Sequence, residues 1–166
     1  MVFQNELQLQ KMINFTSDPI DYSQVTDSVR SHAAGAVVLF LGTVREFTGD
    51  VQTSSLEYDA YPDMALQDLR RLETAVREKW PVIGVSMVHR TGALQLGEIA
   101  VAVAVSSGHR HEAFEAGQWL IDTLKVCVPV WKKEIYASGR TEWVHPAGLP
   151  NGVSPAGESD FSGAES

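Results

Sequence analysis

Along residues 11–145 the chain switches between short apolar runs of strand length and longer stretches in which apolar residues return every three or four positions. That mixture of periods predicts a mixed α/β (α+β) domain, with elements in the order β-α-β-β-α-β-β-α-β-β. A first strand is expected near residues 12–15. A short helix follows Pro19, with Tyr22, Val25 and Val29 at helical spacing. The run AGAVVLFLGTVRE, apolar through Val37, Val38, Leu39 and Phe40, predicts a buried central strand. After the turn-like FTGD, the alternating SSLEYDAY predicts the second strand of a hairpin, ended by Pro62. In the next segment Ala65, Leu69, Leu72, Val76 and Trp80 are spaced four, three, four and four apart, which predicts an amphipathic helix lying on a sheet. Strands near residues 83–89 and 98–105 come next. A helix with Ala113, Gly117, Leu120 and Leu124 inward follows, and beyond Pro129 the strand PVWKKEIY.

This pattern stops at about residue 146. Residues 147–166 are rich in Gly, Ser, Pro and Ala and have too few apolar side chains to offset the entropy of ordering them. The expected organisation is one catalytic-sized domain over residues 1–146 and a flexible acidic tail over 147–166. The formal charge of the 166-residue chain is −8. Three of its 21 acidic residues and none of its 13 Lys and Arg lie in the tail, so the body carries 18 acids against 13 bases, a net −5. Such a field argues against general binding to nucleic acid or an anionic membrane, and it makes any local basic cluster informative. One cysteine, Cys127, forms no internal disulfide and no multi-thiolate zinc site. With no secretory pattern at the N-terminus and no apolar stretch long enough to span a bilayer, the expected location is the cytoplasm.

Three places can carry chemistry. At Ser106-Ser107-Gly108-His109-Arg110 a strand gives way to a helix, where free backbone N–H groups and the positive end of the helix dipole favour phosphate or carboxylate. The same sequence fits a plain helix cap with a surface His and Arg. His109 and His111 form H-x-H, but residues two apart on a helix point to different sides and nothing completes a metal set, so no metal is expected. Lys125, Lys132 and Lys133 flank the break at Pro129. Lys132 and Lys133 alternate across a strand, so only one of them faces the Lys125 side, and Lys132 is the choice. Arg45 stands where the apolar strand ends, a place equally suited to a binding residue or to a simple exit into water. Glu134 can pair with a neighbouring lysine. His89 reads as packed or superficial, and Cys127, between Val126 and Val128, as buried packing.

Five segments in order, GAVVLFLGTVRE, LEYDAYPDMA, HRTGALQLGE, SSGHRHEAFEAGQWLIDTLK and VPVWKKEIY, resemble the large, catalytic subunit family of molybdopterin synthase over residues 34–144. The order and spacing of five segments are far more specific than one short motif. The resemblance implies an α/β-hammerhead-type domain with an additional small antiparallel sheet. It implies a homodimer at the core of a heterotetramer, with a small ubiquitin-like sulfur carrier at each end whose C-terminal Gly-Gly thiocarboxylate enters a pocket. The activity implied is a sulfurtransferase of molybdenum cofactor biosynthesis, which builds the molybdopterin dithiolene on cyclic pyranopterin monophosphate without a resident cofactor.

Carried over residue by residue, the resemblance implies a pocket of Thr43, Val44, Arg45, His109, Arg110, Lys133 and Glu134 around catalytic Lys125 and Lys132. Two positions depart from the family pattern: Cys127 stands where a basic residue is frequent, and an Arg expected around residue 147 is absent. As a base, a lysine must fall from a pKa of about 10.4 to roughly 7–8, which takes burial and a second cation, whereas stabilising developing negative charge needs no shift. Lys132 is therefore assigned to charge stabilisation, and Lys125 to contact with the carrier's terminal glycine and to acid/base work. A silent adaptor of the same fold and a Cys127 persulfide enzyme are the rival classes.

Overall fold

The computed structural model of the protein describes residues 12–144, so the expectations for the tail and for the region around residue 147 lie outside the described residues. The chain runs β1 (Ile13–Thr16), α1 (Tyr22–Asp27), β2 (Ala36–Thr43), β3 (Phe47–Thr48), β4 (Val51–Ala60), α2 (Pro62–Lys79), β5 (Val82–Arg90), β6 (Gly92–Gln95), β7 (Ile99–Ser107), α3 (Arg110–Cys127), β8 (Val130–Tyr136) and β9 (Thr141–Val144). Relative to the predicted order, β3 and β6 are additional. At two and four residues they are too short to show a period in sequence.

The strands form two sheets. One has the order β1-β5-β7-β2, with β1 parallel to β5 and the rest antiparallel. The other is antiparallel throughout, in the order β3-β4-β8-β9, with β6 paired to β4. Helices α2 and α3 cover one face of the first sheet: Leu69, Leu72 and Val76 of α2 and Leu120 and Leu124 of α3 meet Val85, Met87, Val103 and Val105 in one buried cluster. Helix α1 and the turn after it cover the other face, through Val25 and Val29 respectively, against Val88, Ala102 and Ala104. Burying a side chain of this size is worth about 1.5–3 kcal/mol, so the amphipathic faces of the helices hold the layers together. A third cluster, Val44, Leu56, Leu94 and Ala100, joins the two sheets.

Two expectations need correction. Strand β2 is not central: it is the edge of its sheet, paired only with β7. Nor is it fully buried: its residues are half-buried or exposed, and the apolar run arises because both faces are partly covered, with Phe40 packed toward the α2/α3 cluster and Leu39 and Leu41 toward α1. Two covered faces produce a continuous apolar strand wherever it lies in the sheet. Nor is β4 the hairpin partner of β2. It turns back on the short β3 through Gly49, whose φ of 59° suits glycine, and belongs to the second sheet. Among the described residues no helix is long and apolar enough to cross a membrane.

Candidate functional site

Helix α3 ends with Lys125 in its last turn, where the negative end of the dipole favours a cation. Pro129 has no N–H to continue the helix, and the chain reverses into β8 through the Val130 N–H bond to the Val128 carbonyl (2.8 Å). This tight reversal brings Lys132 next to Lys125, and both line the same two adjoining hollows. On β8, Lys132 and Glu134 share a face and are paired at 2.6 Å. Strand alternation turns Lys133 to the opposite face, where its Nζ lies 5.3 Å from the Trp143 ring centre and lines neither hollow.

The first hollow, about 360 Å³, is largely apolar, with Val101, Ile121, Leu124 and Val128 in its wall. The second, about 430 Å³, is more polar and is bounded by Thr43, Arg45, Thr48, Thr53 and Glu134. Both lie in the range of small-molecule sites, about 300–1,000 Å³. Arg45 reaches the polar hollow because of two local features. The β2/β7 register slips between Gly42 and Thr43, and the chain then alternates, with Thr43 and Arg45 outward and Val44 3% exposed in the core joining the sheets. Val44 thus holds the wall from behind: its N–H bonds Glu98 O (3.0 Å) and its carbonyl accepts from Gly97 N (2.7 Å). A further hollow on the outer face of α2, around Arg70 and Arg71, is a shallow open surface away from these residues.

Electrostatically the site is a group of cations with one partly buried carboxylate, Glu134. Burial works against the Glu134 charge, but the Lys132 hydrogen bond and charge, helped by Arg45, hold its carboxyl below the usual range. Lys125 is exposed and has no ion-pair partner among the described residues. The single chain therefore does not supply the burial that a lysine base requires.

The other predicted anion site is built differently. The Ser106 hydroxyl accepts from Gly84 N–H (2.9 Å), and the Ser107 hydroxyl donates to Pro81 O (3.0 Å); both serines are buried. His109 occupies the N-cap of α3 without a side-chain cap bond, and His109 and Arg110 are exposed. From Arg110 to Lys125 the helix rises about 22 Å at about 1.5 Å per residue, so these two residues do not join the lysines within one chain. His111 pairs with Glu115 at 3.3 Å, and among the described residues no group of three or more His, Cys, Asp or Glu is placed to hold a metal. Cys127 is exposed, correcting the buried reading: it falls on the outer side of the last helical turn, next to exposed Val126. Sequence reasoning overlooked Tyr58, which lines both hollows, while His89, read there as packed or superficial, is buried and lines the apolar one. Tyr58 sits directly across from Lys132 in the β4/β8 register, a relation that appears only once those strands are paired.

Fold and site together define a class: a two-sheet α/β protein whose lysine pair and arginine face a double hollow suited to an anionic ligand. The particular family follows from comparison. The model of the MoaE protein family matches residues 15–126, and the chain belongs to that family. The molybdopterin synthase catalytic subunit of Bacillus subtilis (strain 168) is 41% identical over 150 residues, covering 90% of this chain and 94% of its own. The crystal structure of molybdopterin synthase from Staphylococcus aureus aligns with a TM-score of 0.77 at 43% identity, over 81% of this chain and 98% of that one. A complex of subunits 1 and 2 of molybdopterin-converting factor from Helicobacter pylori 26695 shares the fold, with a TM-score of 0.60 at 19% identity over 81% of this chain and 88% of that one.

Proposed function

We propose that this chain is the catalytic subunit of a molybdopterin synthase. It moves sulfur from the C-terminal thiocarboxylate of a small Gly-Gly-ending carrier onto cyclic pyranopterin monophosphate, giving the molybdopterin dithiolene. The observation that carries the reading is that Lys125 and Lys132 line both adjoining hollows, one apolar and one bounded by Arg45. An extended Gly-Gly tail fits the apolar hollow, and the phosphorylated pterin fits the polar one, with Thr43 and Arg45 toward the phosphate. The two substrates then meet at the lysines.

In this reading Lys132, set by Glu134, stabilises negative charge developing during transfer. Lys125 contacts the carrier's end, and the burial that acid/base work demands arrives when the tail covers it. His109 and Arg110 serve a pocket only from a second copy of the chain, which accords with a homodimer at the core of a heterotetramer. The two-subunit complex formed by the Helicobacter pylori relative supports a small partner subunit. The setting is cytoplasmic, and the chain needs no resident cofactor or metal.

The test is product formation. Purified chain, thiocarboxylated carrier and precursor are mixed, and dithiolene is measured with and without the thiocarboxylate sulfur. Absence of product with an intact carrier would remove the assignment and leave a silent adaptor. Exposure of Cys127 favours keeping one rival in view, a persulfide route. Cys127 lines neither hollow, so Cys127→Ser is expected to keep its rate, and a large loss would favour the persulfide route.

A further inference from the structure

Among the described residues three line both hollows: Lys125, Lys132 and Tyr58. The lysines are accounted for by the transfer reaction, and the tyrosine is not. We propose that Tyr58 is a third substrate-contacting residue of the transfer site, its phenol O–H donating a hydrogen bond to the carrier's thiocarboxylate where the hollows meet. The inference rests on the function proposed above and adds a residue to it.

The geometry favours a directed donor over a packing aromatic. Strand β4 places Leu56 and Tyr58 on one face, and the antiparallel register sets Tyr58 opposite Lys132 and Leu56 opposite Glu134. Directly opposed residues in such a pair have Cβ atoms about 4.5–5.5 Å apart, so the phenol and the Lys132 ammonium belong to one small patch. Across the hollow the ring is braced by His89, edge to face, with centres 5.1 Å apart and planes at 74°. His89 is itself fixed, since its Nδ1 lies 2.8 Å from the Arg90 carbonyl oxygen and its ring also packs against Phe15 at 5.9 Å. A carbonyl only accepts, so Nδ1 carries the proton and the ring is held in one tautomer. The Tyr58 hydroxyl has no hydrogen-bond partner among the described residues and is free for a ligand.

The chemistry suits an anion. Burial, and then the Glu134 charge, push the phenol's pKa up, so at neutral pH Tyr58 is a donor and not a base. A thiocarboxylate presents an acceptor oxygen and sulfur to a hollow whose remaining wall is aliphatic apart from the His89 ring, and two ammonium groups with one phenol give it three donors. No proton changes hands in this role; the O–H bond stays intact while it shields charge on the reacting group.

The decisive variants are Tyr58→Phe and Tyr58→Leu, compared by single-turnover sulfur transfer per folded protein, with thermal midpoints recorded alongside. Loss of a hydrogen bond to a charged group predicts that both are slower by about ten- to a hundredfold, with Tyr58→Phe keeping the wild-type midpoint. A Tyr58→Phe rate within twofold of wild type, with only Tyr58→Leu impaired, would mean that the ring merely packs and would overturn the proposal. Slowing that only tracks lost folded protein counts against it equally. Lys132→Ala separates the two levels of argument. If it is inactive while Tyr58→Phe is normal, only the tyrosine role fails; if wild type itself transfers no sulfur from the carrier, both fall.

Discussion

The two ends of α3 carry opposite instructions. At the N-terminal end the dipole and free N–H groups invite an anion, yet the nearby hydroxyls are already spent inside the fold, Ser106 on Gly84 and Ser107 on Pro81. At the C-terminal end the dipole favours cations, and there Lys125 is joined by Lys132 and, across the polar hollow, by Arg45. The first end is structural within one chain, and the second is poised to receive a ligand. Local helix electrostatics cannot make that distinction, because it depends on which side chains the sheet has already consumed.

The largest expected effect tests the second end. Lys125→Ala and Lys132→Ala should each lower sulfur transfer by about 10²- to 10⁴-fold, the range for a positioned charge or acid/base group. Lys125 is exposed, so the thermal midpoint of Lys125→Ala should hardly move, whereas Lys132→Ala also leaves Glu134 without the cation it pairs with at 2.6 Å and should lower its midpoint. A transfer assay beside a melting curve reads both, and full activity in Lys125→Ala would break the comparison at its functional end.

Next comes a pH effect in the wall of the apolar hollow, where His89 lies. Burial lowers the His89 pKa from 6.5 to about 4, with the Arg90 carbonyl opposing weakly. The unfolded chain takes up this proton near pH 6.5 and the folded chain only near pH 4, so the stability this group contributes is present above pH 6.5 and is lost as pH falls through that window. The full difference is about 3 kcal/mol at about 1.36 kcal/mol per unit. Urea midpoints at pH 7 and pH 4.5 should therefore converge in His89→Gln relative to wild type. An equal pH dependence in both proteins would show that His89 is not the group responsible.

The structural end predicts the reverse of the lysine result. Ser106→Ala removes the bond to the Gly84 N–H and Ser107→Ala the bond to the Pro81 carbonyl, both part-buried, at a cost of about 0.5–1.5 kcal/mol each. Denaturant melts should register that loss while transfer per folded molecule stays near wild type. A selective loss of activity in either serine variant would mean that this junction binds substrate after all.

Which parts of this were legible in sequence follows from the range of each signal. The faces of α2 and α3 were readable because Leu69, Leu72, Val76, Leu120 and Leu124 repeat at the helical period. The choice between Lys132 and Lys133 was readable because alternation along a strand is local. The edge position of β2 was not, since a run covered on two faces looks the same at a sheet's edge as at its centre. Tyr58 and His89 were not either. Their roles come from a β4/β8 register and a contact between β4 and β5, relations among residues 31 to 74 positions apart that no window along the chain contains.

The smallest expected effect sharpens the comparison most. His109 and Arg110 are exposed and His109 makes no cap bond, so His109→Ala and Arg110→Ala should change stability by no more than about 0.5 kcal/mol. If each chain's site were complete in itself, activity would be equally untouched, because these residues lie about 22 Å from Lys125 along the helix. If the homodimer lends them to its partner's hollow, Arg110→Ala will weaken pterin phosphate binding, and mixing it with Lys125→Ala will restore activity, since one of the two mixed sites then holds both intact residues. Complementation of that kind has no explanation within a single chain. Its absence, with both single variants impaired, would place Arg110 and Lys125 in the same copy and contradict the separation of the two helix ends.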